Sequence, residues 1–186
     1  MQLVQQTISK LKGFKGWLDT LTLHESQLVL GLSGSVKHLA ESCAFEKLDK
    51  QLVIVTPTLL QATQTYEELS EWYDDEVVHL FPVEESLAAD FSVMSPDVVS
   101  QRIRTLDFLS RGQKGIVIVP LSGIQKLLVP ATVWKKSSIE LAMGSEIESM
   151  DAFVEQLVEL GYRRENMVAT PGEFALRGSI VDIYPL

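Results

Sequence analysis

Residues Gln51–Phe81, QLVIVTPTLLQATQTYEELSEWYDDEVVHLF, contain the pattern from which the fold follows. The mainly apolar run Gln51–Thr56 predicts a strand, and Val77–Phe81 predicts another. Between them, Leu59–Tyr73 has the longer mixed pattern of an amphipathic helix. Short apolar runs without alternation indicate strands that are covered on both faces. Strand, helix and strand in this order therefore predict the repeating unit of a parallel sheet.

The same alternation continues on both sides of this stretch. Before it, Gln27–Leu32 predicts a buried strand and Val36–Lys47 predicts a helix. After it, Ser95–Ser110 predicts a helix, because its first serine is a good cap and its second residue is a proline. Gly115–Pro120 predicts a further strand. The sequence therefore predicts an α/β domain, with a parallel sheet and helices on both of its faces.

The pattern changes after Pro120, where a smaller α+β domain is expected. Its predicted elements are helices over Leu121–Leu128 and Asp151–Leu160 and strands over Ser138–Met143, Met167–Thr170 and Phe174–Tyr184. Met1–Asp19 has the spacing of a lead-in helix, so we divide the chain into a lead-in helix (1–24), an α/β domain (25–121) and an α+β domain (122–186). No closing element follows the last strand, so we expect the second domain to be incomplete and the chain to be part of a longer protein.

Composition and charge limit the classes of function. The 186 residues are 46% hydrophobic, which suffices for a core, but the apolar runs are far shorter than the roughly 20 residues of a membrane span. The single cysteine, Cys43, cannot form an internal disulfide, and no secretory signal is visible, so we expect a cytoplasmic protein. The net charge is -9, and the interval between Lys50 and Arg102 contains ten acidic residues and no lysine or arginine. This interval should repel the phosphate backbone of DNA.

The segment Gly31–Ala40, GLSGSVKHLA, is similar to a phosphate-binding loop of the pattern G-x-x-x-x-G-K-[ST]. Val36 replaces the second glycine and disfavours the positive φ that glycine permits, while His38 replaces the hydroxyl that binds magnesium. The degenerate loop comprises Gly31, Gly34, Ser35 and Lys37, of which the first and last stand at pattern positions. We therefore expect no bound cofactor here. Weak anion binding through free amides at the helix start stays open.

No other motif predicts catalysis, so no catalytic residue is expected. Ser33 follows Gly31 as in a nucleophile elbow, but the motif needs glycine where Ser35 stands. The histidines and the lone cysteine have no ligand spacing, so no metal site is expected; the histidines are His24, His38 and His79. Two other functions remain open: an ATPase or helicase fragment with a divergent loop, and a DNA-binding domain, which the acidic interval makes the least compatible.

Four segments together resemble one family. They are the loop at Gly31–Ala40, LFPVEESLAADFSVMSPDVVSQRIRTLDFL at Leu80–Leu109, IVIVP at Ile116–Pro120 and GYRRENMVATPGEFALRGSIVDIYP at Gly161–Pro185. The most specific element is the string over Arg177–Pro185, R-G-x followed by two hydrophobic residues, D, a hydrophobic residue, an aromatic residue and P. After the lead-in helix, nearly the whole chain resembles the N-terminal, UvrB-like region of the bacterial transcription-repair coupling factors (Mfd).

The resemblance implies a function in nucleotide excision repair. Coupling factors displace RNA polymerase stalled at a DNA lesion and recruit the damage-recognition protein UvrA. Their ATP-dependent motor, with its magnesium, lies in the C-terminal half, so the full-length protein is expected to be a DNA translocase that contacts RNA polymerase and DNA through other domains. For this chain, the resemblance implies a non-catalytic module, with a decayed nucleotide site and a second domain that docks on UvrA.

The resemblance also implies the docking residues. It assigns the docking arginine to Arg177 and a second contact to the turn containing Arg163 and Arg164. If Phe174–Tyr184 is one strand, its alternation puts Arg177, Ser179 and Val181 on an open face, and puts Phe174, Leu176 and Ile180 on the core face. The predicted partner-binding residues are Arg177, Arg163, Arg164, Ser179 and Val181. From the residues alone, Arg177 also fits a local salt bridge, with Gly178 as a strand bulge.

Overall fold

A computed structural model of the chain describes residues 7–8, 12–23, 26–83, 95–125, 128–134 and 137–186. Its α-helices are α1 Lys12–Thr20, α2 Ser35–Leu48, α3 Leu59–Ser70, α4 Pro96–Arg111, α5 Leu121–Ile124, α6 Ala131–Trp134 and α7 Met150–Glu159. Its strands are β1 Leu52–Thr56, β2 Val78–Leu80, β3 Ile116–Pro120, β4 Arg163–Arg164, β5 Glu173–Arg177 and β6 Ile180–Tyr184. The architecture is the predicted one, a mixed α/β fold with a smaller α+β part.

The chain forms two compact units. The first contains the described residues of Met1–Phe81 and Gly112–Gln125, and the second contains those of Pro82–Arg111 and Lys126–Leu186. Each unit has its own sheet, β1 to β3 in the first and β4 to β6 in the second. The domain limits drawn from the sequence, 1–24, 25–121 and 122–186, remain a prediction.

The sheet of the first unit is parallel, as predicted, with the strand order β1-β3-β2. The central strand β3 pairs with β1 from Ile116 to Pro120 and with β2 from Ile116 to Ile118. All five residues of β3 are buried. This burial explains the continuous apolar run of its sequence, since a central parallel strand is covered on both faces.

Helix α3 covers one face of this sheet. Its start is fixed by Thr58, whose hydroxyl Oγ1 accepts a hydrogen bond from the Gln61 amide at 3.2 Å. The core beneath it consists of Phe45, Ile54, Ala62, Leu69, Val78, Ile116 and Ile118, all buried. The isoleucines come from β1 and β3 and the alanine and leucine from α3, so helix and sheet are joined by apolar contact.

The prediction of a first strand over Gln27–Leu32 is wrong. Residues 26–34 form no strand, and the side chains of Leu28 and Leu30 are 82% and 78% exposed. Within the described part of the chain, β1 has β3 as its one hydrogen-bonded neighbour. An apolar run forms a strand only where another strand supplies partners for its amides and carbonyls, and the run itself does not reveal such a partner.

The N-terminal part of the first unit contains the lead-in helix. The predicted lead-in helix Met1–Asp19 is partly outside the described residues, and its described part is helical at 7–8 and from Lys12 to Thr20. The two glycines, Gly13 and Gly16, do not break this helix. Among the described helices, none combines the length and the apolar composition that a membrane crossing requires.

The first described helix of the second unit is α4, whose predicted cap is confirmed. The Ser95 hydroxyl accepts a hydrogen bond from the Val98 amide at 3.4 Å, and Pro96 is the first helical residue. Helix α7 is capped in the same way by Ser149, which accepts from the Ala152 amide at 3.3 Å. After α7, Gly161 has a φ of +89°, as expected of a residue just past a helix end.

Shorter elements of this part of the chain were predicted less well. Ser138–Met143 and Met167–Thr170 form no strands, and α5 ends at Ile124. Residues 126–127 of the predicted helix Leu121–Leu128 lie outside the described residues. The four residues of α6 and the two of β4 were not predicted, because elements of that length contain too few residues to show a period.

The sheet of the second unit is mixed, with the order β4-β5-β6. Strand β4 is parallel to β5, and β6 is antiparallel to it. The prediction of one continuous strand over Phe174–Tyr184 is therefore wrong. The segment is a β-hairpin, and residues Gly178 and Ser179 form the turn between its strands.

Candidate functional site

The sheet of the second unit has two faces of different character. Arg177 lies opposite Ile180, Leu176 opposite Val181, and Arg163 beside Glu173. Residues that are paired across strands share a face. One face, called the outer face below, therefore consists of Arg163, Glu173, Ala175, Arg177, Ile180, Asp182 and Tyr184. The opposite, inner face consists of Arg164, Phe174, Leu176, Val181 and Ile183.

The inner face attaches the hairpin to helix α7. Phe174 is 0% exposed and forms a core with Phe153 and Leu157 of the helix. Val181 and Ile183 pack against the same core from β6. The hairpin thus rests on apolar side chains from both of its strands, which are buried at Phe174 and half-buried at Val181 and Ile183.

The hairpin turn requires a glycine. Gly178 has a φ of +65°, whereas the φ of Ser179 is not positive. This is the order of a two-residue type II′ turn, which places glycine first and matches the twist of the strands on either side. Gly178 is therefore a turn residue and not a strand bulge. The turn makes Arg177 and Ile180 direct neighbours on the outer face.

Arg177 forms an ion pair on the outer face. Its guanidinium Nη2 donates a hydrogen bond to Oδ2 of Asp182, and the two side chains are 68% and 40% exposed. Pairs as exposed as this one contribute about 0–1 kcal/mol to folding because water screens them. The local salt bridge considered for Arg177 thus exists, and it leaves the guanidinium accessible to a binding partner.

Glu173 holds the segment that precedes β5. Its Oε2 accepts hydrogen bonds from the amides of Ala169 and Thr170, both at 2.9 Å, and its Oε1 accepts one from Arg163 Nη2 at 3.4 Å. The amide of Ala169, then that of Thr170, lowers the pKa of the Glu173 carboxyl, because both bonds favour its ionised form. One carboxylate therefore connects residues 169–170 with β4.

Replacing Glu173 by glutamine is expected to flatten part of the acid unfolding of the second unit. The pKa of Glu173 is lower in the folded chain than its ordinary value of 4.5. The ionised carboxylate therefore contributes stability that is fully present above pH 4.5 and is lost as the pH falls through the lowered pKa. The free energy of unfolding of Glu173→Gln should be lower than that of the wild type at neutral pH. Below pH 4.5 it should depend less on pH than that of the wild type.

Urea unfolding at several pH values between neutral and acid would measure this effect. Glu155→Gln, a change at an exposed position of α7, is the matched control. A Glu173→Gln variant that unfolds with the same pH dependence as the wild type would show that the carboxylate does not hold this segment.

The structure divides the predicted docking residues between the two faces. Arg163 and Arg177 share the outer face, whereas Arg164 is exposed on the inner side. Ser179 lies in the turn, and Val181 packs on the inner face. The expectation that Val181 shares a face with Arg177 is wrong, because a two-residue turn shifts the alternation by one position.

Three outer-face residues were missed as candidates: Ile180, Asp182 and Tyr184. Ile180 is 61% exposed and Tyr184 is 42% exposed. The Gly178-Ser179 dipeptide between two alternating runs is a hairpin signal, and it would have placed these three residues beside Arg177.

The degenerate loop lies in the first unit and leads into α2. Gly31 and Gly34 have φ values of +84° and +55°, and Ser35 is the first helical residue. Lys37 Nζ lies 3.7 Å from Oε1 of Glu41. Nδ1 of the buried His38 lies 2.9 Å from Oε2 of the same carboxylate. A carboxylate thus stands beside both residues that would face the phosphates and magnesium in an intact loop.

The described residues contain no cluster of potential metal ligands. No group of three or more histidine, cysteine, aspartate or glutamate residues there could hold a metal ion. His24 lies outside the described residues, as do the acidic residues Glu84, Glu85 and Asp90.

Comparisons with known proteins show what this part of the chain is similar to. The family model of the UvrB interaction domain matches residues 139–186, which include α7 and the whole sheet of the second unit. The transcription-repair-coupling factor of Staphylococcus epidermidis is 43% identical over 169 residues, which are 91% of this chain and 14% of that protein.

Two further relatives have the same name. The protein of Staphylococcus haemolyticus is 41% identical over 91% of this chain, and that of Staphylococcus aureus is 40% identical over 86% of it; each match covers 14% of the relative. The chain thus spans about a seventh of the length of these proteins. These matches confirm the resemblance inferred from the motifs: the chain is similar to the N-terminal, UvrB-like region of the bacterial transcription-repair coupling factors.

Proposed function

We propose that this chain is the UvrA-binding, non-catalytic module of a transcription-repair coupling factor. In the full-length protein it recruits UvrA to RNA polymerase stalled at a lesion, while RNA polymerase, DNA, ATP and magnesium bind other domains. The observation that carries the proposal is an overlap. The outer face, with its exposed arginines, lies inside the segment that matches the UvrB interaction domain.

The chemistry of the outer face supports a protein partner. Arg177 stands next to Ile180 on this face, and Tyr184 lies further along the same strand. An arginine beside exposed apolar and aromatic side chains is typical of the residues that dominate binding energy at protein interfaces. Arg163 of β4 lies level with Glu173 of β5 and adds a second cation to the same face.

Titration calorimetry of this chain with purified UvrA, in the absence of DNA, tests the proposal. We expect saturable binding. Circular dichroism must first show that the chain is folded, since the site depends on the hairpin. If the folded chain releases no heat and shows no complex by gel filtration at micromolar concentrations, the proposal is wrong.

The degenerate loop is expected to show no ATP binding that depends on Lys37. Val36 and His38 lack the required backbone freedom and hydroxyl, and Glu41 places a negative charge beside Lys37 and His38. Titration with a fluorescent ATP analogue should give the same weak or absent signal for the wild type and Lys37→Ala. Lys47→Ala, at the other end of α2, is the control for a change of charge.

A different result would support the ATPase interpretation. Saturable ATP binding that Lys37→Ala abolishes and Lys47→Ala preserves would mean that the loop still binds nucleotide. The proposal of a non-catalytic module would then have to be replaced.

A further inference from the structure

The ion pair on the outer face runs diagonally across the hairpin. Arg177 is paired with Ile180 in the register, and Asp182 lies two residues further along β6, opposite Ala175. The Arg177 side chain must therefore lie back along the sheet to reach the carboxylate. Ala175 contributes only a methyl group at this point of the face and is buried, at 1% exposed. The contact thus selects one direction for a side chain that is otherwise free to point into water.

The ion pair uses only part of the guanidinium. An arginine has five N–H donors in one plane, and the contact with Asp182 is made through Nη2. Among the described residues, none accepts a hydrogen bond from Nε or Nη1 of Arg177. The other edge of the guanidinium is thus available to a second carboxylate, which can form two parallel hydrogen bonds with it.

The stability of the hairpin does not explain this pair. Both side chains are exposed, so the pair adds little to folding. The hairpin is already held by the Phe174 core and by the Gly178 turn. A role in orienting Arg177 accounts for the diagonal geometry, since a fixed side chain loses less conformational entropy when a partner binds.

We infer that Asp182 is a positioning residue for Arg177, which holds the guanidinium with one edge open for a carboxylate of the partner. The inference rests on the proposed function. Because the contact with Asp182 does not occupy the open edge, the partner carboxylate binds without breaking the pair. Loss of Asp182 leaves Arg177 in place but unoriented.

Calorimetry with UvrA as the probe tests this role through a double-mutant cycle. Asp182→Ala should weaken binding about three- to tenfold, the usual cost of ordering one long side chain. Asp182→Asn should weaken it less, because its amide oxygen still accepts a hydrogen bond from Arg177. In the background of Arg177→Ala, Asp182→Ala should have no further effect. Glu155→Ala removes the same charge from α7 and is the control.

The possible results separate the inference from the proposed function. If the wild type does not bind UvrA, both are wrong. If the wild type binds and Arg177→Ala weakens binding, the proposed function stands, and the inference then depends on Asp182→Ala. The inference is overturned if Asp182→Ala binds UvrA with unchanged affinity. It is also overturned if Asp182→Ala weakens binding further in the Arg177→Ala background. Tighter binding also overturns it, since Asp182 would then compete with the partner. Circular dichroism and thermal unfolding confirm that each variant is folded.

Discussion

Replacing Arg177 by alanine is expected to weaken the binding of UvrA by about 2 kcal/mol or more, which is a factor of about 30 in the dissociation constant. Arg177 is highly exposed, and on the outer face it stands beside Ile180, which is exposed as well. Truncation removes both the charge and the planar array of donors. Arg177→Lys should lie between the wild type and alanine, because it keeps the charge but not the paired donors.

Calorimetry at physiological ionic strength would measure this loss. Arg111→Ala is the matched control, since Arg111 is an exposed arginine at the end of α4 and pairs with Asp107. A folded Arg177→Ala variant that binds UvrA within a factor of about two of the wild type would place the docking centre elsewhere, because interface positions of that kind are energetically near neutral.

Replacing Phe174 by alanine is expected to destabilise the second unit by about 3–5 kcal/mol. Phe174 is fully buried against Phe153 and Leu157, so its truncation leaves a cavity between the hairpin and α7. Small domains have stabilities of about 5–15 kcal/mol, so a loss of this size removes much or all of the folding free energy of the unit. The sheet of the first unit should stay intact, because its core contains other residues.

Hydrogen exchange followed by peptide mass spectrometry distinguishes the two units. Peptides from 150–186 should lose protection in Phe174→Ala, while peptides covering β1 and β3 keep it. Phe174→Leu, which retains most of the apolar volume, should cost less than about 1.5 kcal/mol. Retained protection of the hairpin in Phe174→Ala would show that the inner face does not hold it.

The sequence predicts the parallel sheet well because its strands have a local signature. The run IVIVP of β3 is apolar at every position, and burial on both faces requires that composition. Gln27–Leu32 has a similar run, yet Leu28 and Leu30 are exposed. The difference between the two lies in the availability of a neighbouring strand, which is a long-range property that periodicity does not contain.

The composition of the outer face was predicted in part for a related reason. Arg177 and Arg163 were identified through the family motif, Arg177 on a strand predicted to be continuous and Arg163 on a strand that was not predicted. The alternation of Phe174–Tyr184 was assigned as if the strand were continuous, but the turn at Gly178 shifts it by one position. Val181 therefore moves to the inner face, and Asp182 moves beside Arg177. A single turn thus decides which side chains are available to a partner.

The strand order β1-β3-β2 has a consequence for synthesis on the ribosome. Strands β1 and β2 are made first but do not pair with each other, since β3 lies between them. About 40 residues separate the end of β2 at Leu80 from the end of β3 at Pro120. At translation rates of about 5–20 residues per second, the two strands wait about 2–8 seconds for the strand that joins them. During this interval the nascent chain has two unpaired apolar strands, which is the situation in which chaperones bind.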